Sequence, residues 1–337
     1  MQNFKLKIIG NDSEYIIDKN LSVLESALNN NIVIPYGCKN GQCGSCRGQV
    51  IDGKVTSSIN IPPYIISPSD QEKGWTLFCQ AKPESDLTIK VRTLAKGDEI
   101  EIKKYPGRVQ SLDFPNKDTA ILKIKIPSSV NFKFNPGQYI DILLKDQKRR
   151  SYSLANSNGS DENIELHLKN MGNGTFTNHV FNSMKVNEIL RFEGPLGGFK
   201  FAQDNNKNIV FLASGTGFAP IKSIINSIDF QEDHNYFLYW GVRYKKDFYD
   251  ESTTKFWKEN LTNFKFIPVV SDEPSEFKNG FVHKAVLEDH PNLENFSVYA
   301  CGSPLMVEAA RAEFIKNHKL SEDQFFSDAF LPAIDNN

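Results

Sequence analysis

Four of the five cysteines have a spacing that could hold a metal centre. Cys38, Cys43 and Cys46 are spaced C-x4-C-x2-C, and 32 residues separate Cys46 from Cys79. Thiolates in this order are the ligands of a [2Fe-2S] cluster. Glycines alternate with the first three ligands, which lets the backbone wrap closely and direct N–H groups at cluster sulfurs. The spacing therefore predicts a [2Fe-2S] cluster held by these four cysteines.

Two other interpretations of the cysteines remain open. A four-cysteine zinc site usually shows two C-x2-C pairs rather than one, and the four thiols could also be unrelated. A reducing compartment argues against disulfides. The segments 35–48 and 77–80 resemble the plant-type ferredoxin domain, and this resemblance implies a β-grasp fold for nearly all of the first 95 residues.

A second group of residues, Arg150, Tyr152 and Ser153, follows a short apolar strand. Arginine can bind a phosphate with two hydrogen bonds, and an aromatic ring offers a stacking face. A serine hydroxyl can hydrogen-bond a flavin ring near its N5 atom. The same composition also occurs on ordinary surface strands, so the tetrapeptide RSYS alone is a weak signal.

Gly174 and Thr177 begin a predicted short helix, where a hydroxyl and free N–H groups could receive an anion. A capped surface helix is the plain alternative. Together with Arg150-x-Tyr152-Ser153 and the segment 194–199, GPLGGF, these residues resemble the flavin-binding elements of the ferredoxin-NADP reductase superfamily. The resemblance implies a bound flavin. An N-terminal cluster domain is typical of the FAD-containing class, so FAD is expected rather than FMN.

The segment 214–220, SGTGFAP, follows an apolar strand and opens a helix. Gly215, Thr216 and Gly217 form a turn through which the backbone could approach a pyrophosphate, and Pro220 suits a first helical turn. The turn departs from G-x-G-x-x-G. It resembles the G-T-G-x-A-P element of the same superfamily, which implies a nicotinamide nucleotide site.

Cys301 and Gly302 end a later strand just before a helix that starts with proline. They resemble the C-G-x-P element that lies beside the nicotinamide in this superfamily, and Phe330 resembles the aromatic residue that covers the flavin. The resemblance implies that Ser153, Cys301 and Phe330 lie at the reacting rings. Cys301 as a small buried hydrophobe and Phe330 as a core residue are the alternatives.

The preferred nucleotide is less clear from the sequence. After the strand 236–240 come Arg243, Lys245 and Lys246, and no acid appears before Asp247. Clustered basic residues favour NADPH, which carries a 2′-phosphate, whereas an acidic side chain that hydrogen-bonds the ribose hydroxyls favours NADH. The segment Gly-Val-Arg at 241–243 resembles NADH-using oxygenase reductases, so NADH is expected, with NADPH as the alternative.

These residues need three kinds of scaffold to position them. Strands and one helix in the first segment predict a small mixed sheet, which with the resemblance is a β-grasp domain over 1–97. Six evenly spaced strands predict an antiparallel six-stranded β-barrel for FAD over 101–203. Alternating strands and helices predict a parallel sheet with helices on both faces, the nucleotide domain, over 207–337. The fold is thus multidomain, α+β followed by α/β, with polar linkers at 96–101 and 203–207.

Bulk composition excludes some partners. With 39 Lys and Arg against 41 Asp and Glu, the net charge is −2, which gives no case for nucleic acid or an anionic membrane surface. No run of about 18 apolar residues is present, and the first residues lack a secretory pattern. A cytoplasmic protein is expected.

In domain order, the chain resembles two neighbouring groups of iron-sulfur flavoprotein reductases. One is the CDP-6-deoxy-Δ3,4-glucoseen reductases, on the segments 63–80 and 328–333, and the other is the reductases of phenol and benzoate oxygenases. Either resemblance implies transfer of hydride from NAD(P)H to FAD and of single electrons through the cluster to an acceptor protein, a dehydrase or an oxygenase component. An accessory electron carrier without a nucleotide site is the alternative from another class.

Overall fold

The computed structural model describes residues 3–32, 34–63, 65–91, 102–145, 148–157, 163–172, 174–202 and 206–330. The chain divides into two compact units, one of residues 1–99 with 197–199 and the other of residues 100–196 with 200–337. The predicted linker at 96–101 and most of the one at 203–207 lie outside the described residues, as do residues 331–333 of the chain ending. No helix among the described residues is both long and apolar enough to span a membrane.

The first unit contains a mixed sheet, a two-stranded ladder and two helices. Its strands are β1 (Asn3–Ile8), β2 (Asn11–Asp18), β3 (Arg47–Asp52), β4 (Val55–Ser57), β5 (Trp75–Leu77), β6 (Ala81–Pro83) and β7 (Leu87–Lys90), and its helices are α1 (Val23–Asn29) and α2 (Pro68–Glu72). The main sheet has the order β2-β1-β7-β3-β5, and β4 pairs with β6. Only the β1–β7 pair of the main sheet is parallel.

Local sequence explains these elements. In β1 the apolar residues Leu6 and Ile8 are buried, while Lys5 and Lys7, which alternate with them, face outward. Ser22 caps α1 and exchanges hydrogen bonds with Glu25 in a capping box, which explains why the helix begins at Val23. The chain between α1 and β3 is left as an irregular loop that carries three of the four clustered cysteines.

The second unit begins with a six-stranded antiparallel sheet. Its strands are β8 (Lys103–Asn116), β9 (Thr119–Lys125), β10 (Tyr139–Leu143), β11 (Arg149–Ser153), β12 (Asn163–Lys169) and β13 (Ile189–Leu196), in the order β11-β10-β13-β8-β9-β12. Helix α3 (Thr175–Asn182) lies between β12 and β13 in sequence. The six predicted strands are all present.

The predicted closed barrel is not borne out. The edge strands β11 and β12 meet at a single bridge between Leu154 and Leu166, not along a ladder. Closure requires paired strands on both sides of the seam. Because β11 is only five residues long and ends at Ser153, just before that bridge, no strand is left to continue the pairing.

The rest of the second unit alternates strands and helices. The strands are β14 (Asn208–Ser214), β15 (Asn235–Val242), β16 (Phe264–Val270), β17 (Lys278–Asn279), β18 (Phe296–Gly302) and β19 (Phe325–Ala329), and the helices are α4 (Phe218–Ile225), α5 (Glu251–Asn260), α6 (Val282–Asp289) and α7 (Pro304–Asn317). All strand pairs in this sheet are parallel, in the order β17-β16-β15-β14-β18-β19.

The strand order reverses at the middle of this parallel sheet. The chain runs outward from β14 through β15, β16 and β17, and then returns to place β18 on the other side of β14. Ligands of open α/β sheets bind outside the carboxyl ends of the strands at such a reversal. A ligand of this sheet is therefore expected beside the residues that follow β14 and β18.

Candidate functional site

The four clustered cysteines lie in the first unit as two close pairs. The Cys38 N–H donates to the Cys43 sulfur and the Cys43 N–H to the Cys38 sulfur, each at 3.3 Å. The Cys79 N–H donates to the Cys46 sulfur at 3.4 Å. A hydrogen bond with Cys43 lowers the pKa of the Cys38 thiol to about 6. The thiols of Cys46 and Cys79 are hydrogen-bonded in the same way.

This pairing distinguishes between the candidate metal centres. Zinc needs four ligands around one ion, yet among the described residues no three His, Cys, Asp or Glu side chains are grouped so that they could hold a single ion. A [2Fe-2S] cluster instead takes two ligands on each of two irons. Two thiol pairs on one loop and one strand end therefore fit a binuclear cluster better than zinc.

Hydrogen bonds of Gln80, the residue just before β6, hold the cysteine loop in place. The Gln80 side chain donates to the Lys39 carbonyl oxygen at 3.0 Å and approaches the Cys79 sulfur at 3.8 Å, and Ser58 donates to the Gln80 side-chain oxygen at 2.6 Å. Gly41 has a φ of +83°, and a Cβ there would lie 2.3 Å from the Ile59 side chain. The loop is thus held in a tight path that only glycine allows at this position.

The predicted flavin residues occupy β11 and the start of α3. Tyr152 packs against Phe176 of α3 with ring centroids 5.5 Å apart, and burial raises the pKa of its hydroxyl. Ser153 is 7% exposed, and its hydroxyl makes no hydrogen bond with any described residue. Arg150, three residues before Ser153, donates to the Arg149 carbonyl oxygen at 2.8 Å. The end of the strand therefore carries a ring and a hydroxyl at consecutive positions, Tyr152 and Ser153.

Gly174 is the N-cap of α3, and this cap makes no side-chain hydrogen bond. The Thr177 hydroxyl donates to the Gly174 carbonyl oxygen at 3.1 Å. The first N–H groups of an uncapped helix need partners from outside the helix, and a phosphate can supply them. The Tyr152–Phe176 contact joins this helix start to β11.

The two predicted nucleotide motifs meet at the reversal of the parallel sheet. Gly215, Thr216 and Gly217 form a single 3-10 turn after β14, and Pro220 lies buried in α4. A Cβ on Gly217 would lie 2.2 Å from the Cys301 carbonyl oxygen. The turn is therefore pressed against the end of β18, and any side chain at position 217 would force them apart.

Further hydrogen bonds fix this junction. The Ser303 N–H donates to the Ser214 hydroxyl at 2.9 Å, and the indole N–H of Trp240 donates to the Gly215 carbonyl oxygen at 2.9 Å. The Phe330 N–H donates to the Gly302 carbonyl oxygen at 2.7 Å, directly after β19. The structure thus brings 214–217, 301–303 and residue 330 together at one sheet edge.

Cys301 itself is fully buried, and burial, followed by the charge of Asp328, raises the pKa of its thiol. It is held as a neutral thiol in the strand. Among the described residues, no hydrogen bond or ring contact joins Tyr152 or Ser153 to Cys301 or Phe330. Within the part of the chain that the structure describes, the side chains predicted for the flavin on β11 are therefore not in direct contact with those predicted for the nicotinamide.

Acidic residues reach the basic segment after β15 from the neighbouring strand. The Asp272 N–H donates to the Arg243 carbonyl oxygen at 2.9 Å, and the Lys245 N–H donates to the Glu273 carboxylate. The Lys245 ammonium pairs with Glu276. Because these acids follow β16, they are remote in sequence from Lys245, which Glu276 neutralises. Sequence analysis did not identify these acids, and it assigned no separate role to Ser214 in the segment 214–220 or to Trp240 in the strand 236–240.

The close approach at Gly217 gives a first testable prediction. Gly217→Ala is expected to lower the rate of flavin reduction by NADH by about tenfold or more, since the new methyl group must displace the strand end at Cys301. Stopped-flow absorbance measures this rate. Gly280→Ala is the control, because nothing lies within 4 Å of a Cβ there even though its φ is +104°. Equal rates for the wild type and Gly217→Ala would contradict the role of this contact.

Comparison with protein families agrees with the order of these sites. Residues 6–84 match the 2Fe-2S iron-sulfur cluster binding domain, residues 106–201 the oxidoreductase FAD-binding domain, and residues 211–312 the oxidoreductase NAD-binding domain. Each matched range contains the motif predicted for that cofactor, except that Phe330 lies beyond the last range.

Several characterised proteins are similar over nearly the whole chain. The CDP-6-deoxy-L-threo-D-glycero-4-hexulose-3-dehydrase reductase of Yersinia pseudotuberculosis is 43% identical, with 94% of this chain and 95% of the relative covered. Reductase component 1 of the terephthalate 1,2-dioxygenase of a Comamonas species is 29% identical, with 98% of each chain covered. The crystal structure of an Amycolatopsis cytochrome P450 reductase superposes with a TM-score of 0.72 at 28% identity, covering 98% of this chain and 99% of that one.

Proposed function

This chain belongs to the family of NAD(P)H-dependent FAD/[2Fe-2S] reductases, and from that premise we propose that its electron acceptor is a CDP-6-deoxyhexulose 3-dehydrase. The family binds a [2Fe-2S] cluster, FAD and NAD(P)H; FAD takes hydride from the nucleotide, and single electrons leave through the cluster to a protein acceptor. The 43% identity to a dehydrase reductase over 94% of the chain supports this acceptor above others.

We propose that Cys38 and Cys43 ligate one iron of the cluster and Cys46 and Cys79 the other. The N–H to sulfur bonds support this assignment: they run in both directions between Cys38 and Cys43, and from the Cys79 N–H to the Cys46 sulfur. Hydrogen bonds to the sulfurs also tune reduction potential. The first unit would then be a β-grasp domain whose cysteine loop carries the cluster.

The flavin would be held by β11 and the start of α3. Arg150 and the N-terminal N–H groups of α3, beside Gly174 and Thr177, would bind its pyrophosphate. Tyr152 would stack on the ring, and the hydroxyl of the buried residue Ser153 would donate a hydrogen bond near N5, which is supported by the lack of a partner for this hydroxyl among the described residues.

The nucleotide would bind at the reversal of the parallel sheet. The N–H groups of Gly215, Thr216 and Gly217 would hold its pyrophosphate, while Pro220 lies in the first turn of the helix behind them. Cys301 and Gly302 would lie beside the nicotinamide, and Phe330 would cover the flavin until the nucleotide enters. The contact of residue 217 with the end of β18 is the observation that supports this site most strongly.

We propose NADH as the preferred nucleotide, because Glu276 neutralises Lys245 and two further acids lie beside it. A 2′-phosphate would meet this negative charge. Glu276→Gln is expected to raise kcat/KM for NADPH by about fivefold, and salt should weaken the effect because the pair is exposed. Steady-state kinetics with both nucleotides measure it.

Glu288→Gln serves as the control, since it removes the ion pair of Lys278 with a glutamate that is about as exposed as Glu276, 60% against 59%. The kcat/KM for NADH should stay within about twofold in both variants. Wild-type protein that uses NADPH better than NADH would overturn the preference.

The acceptor can be tested by reconstitution. Purified CDP-6-deoxyhexulose 3-dehydrase with its sugar nucleotide should accelerate NADH oxidation by this protein and yield the reduced sugar. The terephthalate oxygenase component with terephthalate is the alternative acceptor suggested by a more distant relative. Turnover with the oxygenase and none with the dehydrase would contradict the proposed acceptor.

We also propose three domains, 1–97, 101–203 and 207–337, since the three family matches fall inside these bounds. We propose a cytoplasmic location, which the proposed use of NADH supports.

A further inference from the structure

A buried group of charged and polar residues joins the six-stranded antiparallel sheet to α4, the helix that follows the turn at residues 215–217. We call this turn the nucleotide turn. We call Glu165, His167, Lys222, Tyr249 and Asp250 the buried network. Lys222 of α4 pairs with Glu165 of β12 at 2.8 Å and with Asp250, the N-cap of α5, at 2.7 Å. The Lys222 side chain is only 13% exposed. One ammonium therefore connects three elements of the second unit.

His167 extends the network beneath the nucleotide turn. One of its ring nitrogens lies 2.9 Å from the Glu165 carboxylate and the other 2.9 Å from the Tyr249 hydroxyl. Burial lowers the pKa of His167, so the ring is neutral. A neutral ring that donates from Nε2 to the Glu165 carboxylate must accept at Nδ1 from the Tyr249 hydroxyl. The tautomer is therefore fixed by its two neighbours.

The charges of the network are balanced within it. Burial alone would lower the pKa of Lys222, but Glu165 and Asp250 outweigh that effect and raise it. Lys123 lies 3.7 Å from the second Glu165 oxygen and adds another positive charge. Removing Lys222 would leave two carboxylates facing each other in a buried place. Such a network keeps its geometry only while every member is present.

Packed aromatic rings connect the buried network to the nucleotide turn. Phe218, the first residue of α4 and the residue after Gly217, stacks on Trp240 with centroids 3.9 Å apart and planes 10° apart. The Tyr249 ring contacts both of them edge-on, at 5.9 and 5.2 Å. Trp240 in turn donates to the Gly215 carbonyl oxygen at 2.9 Å. A shift of the buried network would therefore move the turn that we propose to hold the pyrophosphate.

We propose that the buried network sets the position of the nucleotide turn relative to β12, a strand of the same six-stranded sheet as the proposed flavin strand β11, with Lys222 and Tyr249 as positioning residues for hydride transfer. Neither residue needs to contact the nucleotide or the flavin. This inference rests on the proposed function of the turn and deepens it. Hydride transfer requires the donor carbon and the flavin within a narrow range of distance, and a displacement of about 1 Å can slow such a step by about 100-fold.

Lys222→Met and Tyr249→Phe test this role of the buried network in the full-length holoprotein. Stopped-flow absorbance at increasing NADH separates the dissociation constant of NADH from the limiting rate of flavin reduction. We expect the limiting rate to fall about 10- to 100-fold in Lys222→Met and about threefold to tenfold in Tyr249→Phe, with a dissociation constant within about threefold of the wild type. Reduction by dithionite, which does not use the nucleotide site, should be unchanged.

Lys169→Met is the matched control. Lys169 lies on the same strand as Glu165 and His167, β12, and the substitution removes its 2.6 Å ion pair with Asp118. The limiting rate of flavin reduction in this variant should equal that of the wild type. A wild-type rate in both test variants would overturn the inference, as would a weaker binding of NADH at an unchanged limiting rate. If Lys222→Met fails to fold, Tyr249→Phe decides alone. A wild-type protein whose flavin is not reduced by NADH would instead refute the proposed function.

Discussion

Cys79→Ser is expected to abolish electron delivery to the protein acceptor while flavin reduction by NADH continues. Cys79 follows β5 and shares a sulfur contact with Cys46, so its loss leaves one iron with a single protein thiolate. Iron content should fall from about two per chain toward zero, while FAD stays bound.

The measurement combines iron analysis with two activity assays. Reduction of ferricyanide, which can take electrons from the flavin directly, should persist, whereas turnover with the dehydrase should be lost. Cys301→Ser is the control for iron content alone, since Cys301 is fully buried in the second unit and should leave the cluster intact. Two irons per chain in Cys79→Ser would contradict the ligand assignment.

Ser153→Ala is expected to slow flavin reduction by NADH about 10- to 100-fold. The Ser153 hydroxyl is 7% exposed and has no partner among the described residues, so its hydrogen bond is available for the flavin. Loss of one well-placed donor in a dry site costs about 1.5 to 3 kcal/mol, which corresponds to such a factor. FAD content should remain close to that of the wild type, because Arg150 and the start of α3 are unchanged.

Ser151→Ala is the matched control on the same strand. Its hydroxyl donates to Asp141 at 2.6 Å on the exposed side of β11, so its removal should leave the rate of hydride transfer unchanged. Equal limiting rates for Ser153→Ala and Ser151→Ala would mean that the Ser153 hydroxyl plays no part in hydride transfer.

Much of the fold follows from local patterns in the sequence. The apolar run 209–213 predicts the buried strand β14, and the proline at position 304 predicts the start of α7. Strand β19 and helix α6 were not predicted. β19 is a short strand added in parallel to the edge of the sheet beside β18, and its register is set by residues far away in the chain.

The parts of the site that escaped sequence analysis are those made by long-range contacts. Glu276 neutralises Lys245 from 31 residues away, and Lys222 meets Glu165 across 57 residues. The buried charges had a local signal, since Glu165 and His167 interrupt an apolar strand and Lys222 interrupts an apolar helix. Their partners could not be known before the strands were arranged. The absence of a closed barrel likewise depends on where β11 stops.

The most direct test of the account is an anaerobic titration of the purified protein with NADH, followed by visible absorbance. We expect the flavin band and the broad cluster absorption both to bleach. The end point should lie at about 1.5 equivalents of NADH per chain, because FAD takes two electrons and the cluster takes one. Bleaching of the flavin alone, with an end point of about one equivalent, would contradict the claim that the four cysteines hold a redox-active cluster in the electron path.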